Sequence, residues 1–429
     1  MLGWTLCILY IIGLFFIIGR CQFFRSEYLD VRVFQLLFGI KLLAAGIFFW
    51  IYTFHYTDRN ESDIYKYYDD GIVVSGIAAS YPLDYAKIIL GCSNISPGAK
   101  ELLSTTKYWD RSPSIAGFND NRLIIKINAL LSHLSQGQFF THMVFGSFIS
   151  FIGLVFLFKF FAPMRADHHL LLALLIFLLP SVLFWTSAIL KECLSTLAIG
   201  GFLYSLSSKK TTFIKVLCAL FFFALLINAK LYLAIVMLPA LISFGWNRGK
   251  NDGKVFWRYL VVNLLLLALA LQLSTILGIS LQSIIAQKQE EFKCLAEWMN
   301  AGSLVYIPSI EGNWISIIRA TPYAFYNALL RPTLLDELNR LSFLAMIEIL
   351  ALSAMAVAAI IAPNRNRADL NPVSIAFINA SFILVCLIGI TTPVLGAIVR
   401  YRMPIFMILA PIIFNYLDLN MLKFKIKTL

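Results

Sequence analysis

The stretch GQFFTHMVFGSFISFIGLVFLFKFFAPMR, residues 137–165, decides what kind of molecule this chain is. Residues 137–161 carry one fixed charge, Lys159, and Arg165 follows directly. A helix of about 17–25 apolar residues crosses the hydrocarbon core of a bilayer. No water is available there, so the backbone has to satisfy its own polar groups, and a helix does that within one segment.

The same pattern repeats on both sides. Apolar segments at 2–19, 33–53, 137–161, 169–187, 189–206, 212–229, 231–246, 259–278, 341–362, 373–391 and 403–418 predict an all-α polytopic membrane protein of about eleven spans, forming one integral-membrane domain over 1–429. The chain is 60% hydrophobic and 14% charged, with a mean hydropathy of +0.80. Soluble domains carry about 25% charged residues. The pairs of segments meeting near 187–190 and 229–231 read as tight helical hairpins.

Positive charge then orients the chain. Arg20, Arg25 and Arg32, then Arg165, then Lys209 and Lys210, fill alternate gaps, and so do Arg248, Lys250, Lys254 and Arg258. Arg365, Arg367 and the terminal Lys423, Lys425 and Lys427 continue the alternation. Basic loops stay cytoplasmic, which places the N-terminus outside and the C-terminus inside. The two long polar insertions, 54–136 and 279–340, become extracytoplasmic. The net charge of +12 is thus a topology and anionic-lipid signal, not a nucleic-acid one, for no basic groove or aromatic-interleaved soluble domain is present. The first segment lacks a basic leader and a small-residue cleavage site and reads as a retained helix. Cys92 and Cys294 fall in the two insertions, where one disulfide is open to them. Walker A and dinucleotide-binding fingerprints are missing and no cytoplasmic loop exceeds about a dozen residues, so if the chain is an enzyme its activated substrate has to arrive through the membrane.

The first insertion opens with HYTDRNESDIYKYYDDG (55–71). If 61–71 is helical, Asp63 and Tyr67 share a face and Asp70 follows one turn on. A carboxylate desolvated at the membrane boundary suits a general base on a sugar hydroxyl, so Asp63 and Asp58 are the candidate catalytic residues. Tyr67 offers a stacking surface. Asp63, Asp69 and Asp70 supply hard oxygen ligands for Mg²⁺ or Mn²⁺ without demanding one. SYPLDYAKIIL (80–90) and NRLIIKINALLSHL (121–134) read as amphipathic helices on the membrane surface. The polar stretch between them, STTKYWDRSPSIAGFNDN (104–121), is turn-rich and offers Asp110 and Arg111.

Charges recur at the outer ends of later spans. PSVLFWTSAILKE (180–192) breaks its helix at Pro180 and ends on Lys191 and Glu192, whose structural alternative is a mutual ion pair. NAKLYL (228–233) puts Lys230 at a hairpin tip. IRATPYAFYNALLRPTLLDELNR (318–340) re-approaches the membrane and carries Arg331. TTPVLGAIVRYRMP (391–404) holds Arg400 and Arg402 on the side where cations are disfavoured. Guanidinium forks grip phosphate oxygens bidentately. Lys41 and Glu348 are charges inside spans, where ionisable groups are costly.

With acids and tyrosines in the first outer loop and cations at other outer ends, the layout resembles the GT-C class of integral-membrane glycosyltransferases. That resemblance implies a polyprenyl-phosphate-linked sugar donor, a glycan or lipid acceptor and a home in the bacterial inner membrane. It matches Asp63, with Asp58 second, to the acid that activates the acceptor or binds a metal. Substrate binding falls to Tyr67, Asp70, Lys191, Glu192, Lys230, Arg331, Arg400 and Arg402. The strings PSVLFWTSAILKE, LLRPTLLDE and TTPVLGAIVRYRMP also resemble those of bacterial polysaccharide-assembly proteins. The chain departs from the class in placing an extra span before its acidic loop and in lacking an Asp-Glu or Asp-x-Asp pair at the membrane edge. These departures leave room for a relative of the O-antigen polymerases, which resemble the chain in span number and outward-facing arginines. A transporter or flippase of a lipid-linked or anionic substrate, or a non-enzymatic scaffold of an envelope assembly complex, are the competing expectations.

Overall fold

The computed structural model describes residues 2–56, 59, 62–110, 119–165, 167–207, 212–247, 250, 253–278, 280–336, 339–364 and 372–422. Among these residues the fold is entirely helical, and only two isolated β-bridges occur. The helices are α1 (Leu2–Arg20), α2 (Val31–Trp50), α3 (Asp63–Ser80), α4 (Pro82–Leu90), α5 (Pro97–Ser104), α6 (Asn121–Ser135), α7 (Phe139–Phe161), α8 (His169–Leu178) and α9 (Pro180–Trp185). They continue as α10 (Lys191–Leu206), α11 (Phe213–Ala229), α12 (Leu231–Asn247), α13 (Val255–Ile276), α14 (Leu281–Trp298), α15 (Trp314–Phe325), α16 (Arg340–Ile361), α17 (Pro372–Thr391) and α18 (Leu395–Tyr416). Seven are long and apolar enough to cross a membrane: α1, α2, α7, α13, α16, α17 and α18. The other four expected spans fold as shorter helices. One of them is divided at Leu179, because Pro180 lacks the N–H that a continuous helix would need.

The chain divides into two compact units. Unit 1 comprises Met1–Ala173 and Leu183–Leu231, with α7 at its centre. Phe151, Leu154, Val155 and Phe158 of α7 are all buried. Phe38 of α2 packs its ring 5.2 Å from that of Phe151, and Phe34 lies 5.7 Å from Phe158. Against the opposite side, α10 approaches so closely that a Cβ on Gly200 would lie 2.0 Å from the Gly153 carbonyl oxygen. Without water to drive association, spans gain mainly by backbone proximity at small residues.

The loop helices of unit 1 form a second layer. Val74 and Ile77 of α3 and Ile124, Ile125 and Ala129 of α6 belong to one buried cluster. A Cβ on Gly71 would meet that of Asn128 at 2.5 Å. The expected helices at 80–90 and 121–134 are therefore present, but α6 does not lie on the membrane by its apolar face. That face is buried against α3, because the hydrophobic stripe that would seek lipid finds a complementary stripe within the chain.

Unit 2 comprises Leu174–Val182 and Tyr232–Leu429. At one end of it, Val305 N–H donates to the Pro393 carbonyl at 2.8 Å and Leu395 N–H to Ser303 at 2.9 Å. At the other end, Asp418 N–H donates to Ala362 at 2.9 Å. α16 opens with a capping box, in which the Asn339 side chain accepts from Ser342 N–H at 2.8 Å and the Ser342 hydroxyl accepts from Asn339 N–H at 2.7 Å. All seven cysteines are free thiols, with Cys92 in unit 1 and Cys294 in unit 2.

The α7–α10 contact generates a first prediction. Gly200→Val should destabilise the solubilised protein by about 1–3 kcal/mol or more, the usual cost of overpacking. Gly76→Ala, on an exposed turn of α3 with nothing within 4 Å of the new methyl, should be neutral or stabilising by up to ~1 kcal/mol. Thermal unfolding in detergent compares the two, and a wild-type midpoint for Gly200→Val would show that the backbones are not in contact.

Candidate functional site

In unit 1 the site begins where the helix stops. Residues 186–190 are non-helical between α9 and α10, and their carbonyls have to be satisfied from within the protein. The Ser150 hydroxyl donates to the Thr186 carbonyl at 2.6 Å and the Ser147 hydroxyl to that of Ser187 at 2.9 Å. Gly146 leaves room for this backbone, as a Cβ there would lie 2.9 Å from the Ala188 carbonyl oxygen. The buried Lys41 ammonium donates to Thr186 Oγ1 at 2.5 Å. The partner of this intramembrane lysine is thus a hydroxyl on the helix break.

The break delivers Lys191 and Glu192 to the first turn of α10. Neighbouring helical residues diverge by about 100°, and the two side chains take different partners rather than each other. Lys191 Nζ lies 2.6 Å from Asp120 Oδ1 and 5.6 Å from the centre of the Tyr67 ring. Glu192 Oε1 lies 2.9 Å from Lys230 Nζ, with side chains 0% and 4% exposed. Asp63, at the start of α3, is 3.8 Å from Lys66 Nζ and close enough to Lys191 to interact with it electrostatically. Its carboxylate remains partly exposed.

The fold therefore gathers five of the sequence candidates, Asp63, Tyr67, Lys191, Glu192 and Lys230, from three separate parts of the chain. It adds Asp120, the N-cap residue of α6, which sequence reasoning had passed over within a turn-rich stretch. The available signal was its position immediately before an amphipathic helix. Its side chain caps nothing and reaches Lys191 instead.

Other candidates go elsewhere. Asp70 is buried and accepts from the backbone N–H groups of Lys107 at 2.9 Å and Tyr108 at 2.7 Å. Burial pushes its carboxyl above the usual range, and the two N–H donors pull it part of the way back. It staples the 105–110 turn to α3 with both oxygens, apart from the ion pairs of Lys191 and Lys230. Asp69 is held bidentately by Arg59, with Nε–Oδ2 at 2.9 Å and Nη2–Oδ1 at 2.5 Å. Among the described residues, Asp63, Asp69 and Asp70 included, no three His, Cys, Asp or Glu side chains converge as metal ligands. Asp58 lies outside the described residues.

Unit 2 holds a second charged cluster. Arg402 of α18 is 0% exposed. Its Nη1 donates to the Ala328 carbonyl at 3.2 Å and to the Arg331 carbonyl, while Cζ stands 4.9 Å from the Phe406 ring centre. Its Nε and Nη2, the edge that grips an oxyanion bidentately, are buried without a hydrogen-bond partner among the described residues. Glu348 of α16 compensates part of the charge at a distance. It accepts from the Ser181 hydroxyl at 2.7 Å and the Ser181 N–H at 3.3 Å. Arg331 Nε is 3.1 Å from Asp336 Oδ1. Arg400 is half-buried on α18.

Comparison with known proteins finds no match: no family model fits the chain, and no curated protein and no solved structure is similar to it.

The Glu192–Lys230 pair yields a second prediction. Glu192→Gln or Lys230→Met alone strips a buried charge of this partner and should cost about 3–5 kcal/mol, whereas the double substitution should recover most of the loss. A double-mutant cycle on thermal stability measures it, and additive losses would show that the two groups are not coupled.

Proposed function

We propose that this chain is a membrane glycosyltransferase or polymerase that takes a sugar from a polyprenyl-(pyro)phosphate-linked donor on the extracytoplasmic face, in cell-surface polysaccharide or glycoconjugate assembly. The reading places eleven spans in the bacterial inner membrane, with the N-terminus outside and the C-terminus inside. The observation that carries it is the convergence of a partly exposed carboxylate, Asp63, with Tyr67, Asp120 and Lys191 beside the helix break of unit 1. Acids, a cation and a flat aromatic surface are the groups that sugar transfer from a phosphate requires.

In this mechanism Asp63 takes the proton of an acceptor hydroxyl as its oxygen attacks the anomeric carbon. The bond from that carbon to the phosphate oxygen breaks with inversion, and the electron pair leaves on the phosphate. Lys191 offsets the developing negative charge, while Asp120 fixes its ammonium and Tyr67 supports it from the ring face. Glu192 and Lys230 act as positioning residues: both are fully buried and their contact fixes where α10 begins. The open edge of Arg402 gives unit 2 a capacity for oxyanions, with Arg331 and Arg400 nearby in sequence or contact.

A transporter or flippase of a lipid-linked substrate is the second reading. It is favoured by the interruptions at Leu179 and at 186–190, and by the buried Lys41, Glu348 and Arg402. Broken helices with ionisable groups at membrane depth are a transporter feature.

Lipid-linked oligosaccharide profiling separates the two. Cells lacking the protein should accumulate undecaprenyl-linked glycan, and Asp63→Asn and Lys191→Met should reproduce that build-up at wild-type protein levels. Loss of one catalytic acid–base group lowers the rate by roughly 10²–10⁴-fold. Normal lipid-linked pools in the deletion strain would sink the transferase reading. Build-up confined to the cytoplasmic leaflet would favour transport.

A further inference from the structure

We infer that residues 314–336 form a re-entrant segment, embedded in the hydrocarbon of one membrane leaflet and returning to the surface from which it came. Its helix α15 is continued by a π-helical turn over Tyr326–Leu330, and the chain then reverses to reach the start of α16. Both ends of the excursion meet at one end of unit 2, because residues 303–305 pair with the α17–α18 turn. From there the segment runs alongside the spans and below their ends.

Three contacts fix its depth. A Cβ on Gly389 would lie 2.2 Å from the Ala324 carbonyl oxygen, so the backbones of α15 and α17 touch inside the last turn of α17. The Phe325 ring is 4.9 Å from that of Phe382, nine residues before the end of α17 and so ~13 Å along its axis. Arg402, seven residues into α18, donates to the carbonyls of Ala328 and Arg331. These are groups that the end of the π-turn leaves without helical partners. A segment at that depth has to be served by the protein, since irregular backbone inside a membrane is tolerated only where other groups satisfy it.

The uncovered face identifies the occupant. Ile315, Ile318, Tyr323, Tyr326 and Leu330 are exposed along one side of the segment together with Arg319, whose long aliphatic stem lets its charge reach the interface, while Ile317, Ala320 and Ala324 on the other are buried. The exposed side is continuous, through Phe325, with Phe382 on the outward surface of α17. α17 is itself long and apolar enough to span the bilayer, so the same acyl chains cover both surfaces. Tyrosines within the stripe suit a segment that stays near the interface and does not cross. The inference does not rest on the transferase reading.

The unsubstituted full-length chain tests it directly. In phosphatidylethanolamine–phosphatidylglycerol vesicles doped with a phospholipid bearing a mid-chain diazirine, photolysis and peptide mapping should place adducts on 318–330 as well as on the Phe382 region. Adducts on α17 with none on 314–330 would overturn the inference. As a second arm, spin labels at Ile318, Tyr323 and Leu330 should be more accessible to oxygen than to a water-soluble nickel chelate. A label at Glu297 on α14 should show the opposite order. Nickel accessibility at the three positions equal to that at Glu297 would overturn it as well.

Discussion

The contact between Glu192 and Lys230 carries more of this architecture than its single hydrogen bond suggests. Neither side chain reaches water, and an ionised group in such a place is tolerated only beside its counter-charge. The pair ties the first turn of α10 to Lys230 at the end of α11. Once α10 is fixed at that end, Gly153 and Gly200 fix how closely it lies on α7. The non-helical residues 186–190 are then forced across α7, where Ser147 and Ser150 stand ready for their carbonyls. Lys191 is left pointing the other way, toward Asp120 and Tyr67. The exposed chemistry of unit 1 thus follows from a pair that has no exposed chemistry of its own.

The same constraint operates differently in unit 2. Arg402 keeps a full guanidinium out of water, but only Nη1 is used, on two carbonyls of the segment leading to Pro332. Glu348 is engaged with Ser181. A carboxylate and a guanidinium are thus buried in one unit, each held by neutral groups. That arrangement costs stability relative to a direct ion pair, and retention of such strain is common where a site has work beyond folding.

Much of this was legible in the sequence. The apolar periods announced a polytopic helical protein, Pro180 marked a break that the structure reproduces at Leu179, and the i, i+4 spacing placed Asp63 and Tyr67 on one helix. What the sequence could not convey was pairing. Lys191 and Glu192 are adjacent and of opposite charge, which suggests a mutual pair. Only the 100° turn between neighbouring helical residues and the arrival of α6 and α11 separate them. Asp70 reads like Asp63 in sequence and differs solely because two N–H groups of a turn 37 and 38 residues later fold onto it. The amphipathic period of α6 was correct, but a period does not say whether lipid or another helix will cover the apolar side.

Charge bookkeeping within each unit bears on what the two clusters can bind. In unit 1 every cation of the cluster has a carboxylate beside it: Lys66 has Asp63, Lys191 has Asp120, and Lys230 has Glu192. Such a cluster is close to neutral as a whole, which under the proposed reading suits a hydroxyl-rich sugar better than a free anion. A phosphate approaching Lys191 would have to compete with Asp120 at 2.6 Å, which is feasible only if negative charge develops there, as in a leaving group during bond cleavage. Arg402 differs, because its Nε and Nη2 have no competing oxygen among the described residues. On the transferase reading proposed above, a static anion would suit the guanidinium of unit 2, and a charge that develops during bond cleavage the lysine of unit 1. In that reading the acidic partner of Lys191 would lower its ground-state affinity for phosphate without removing the charge that a departing oxygen needs.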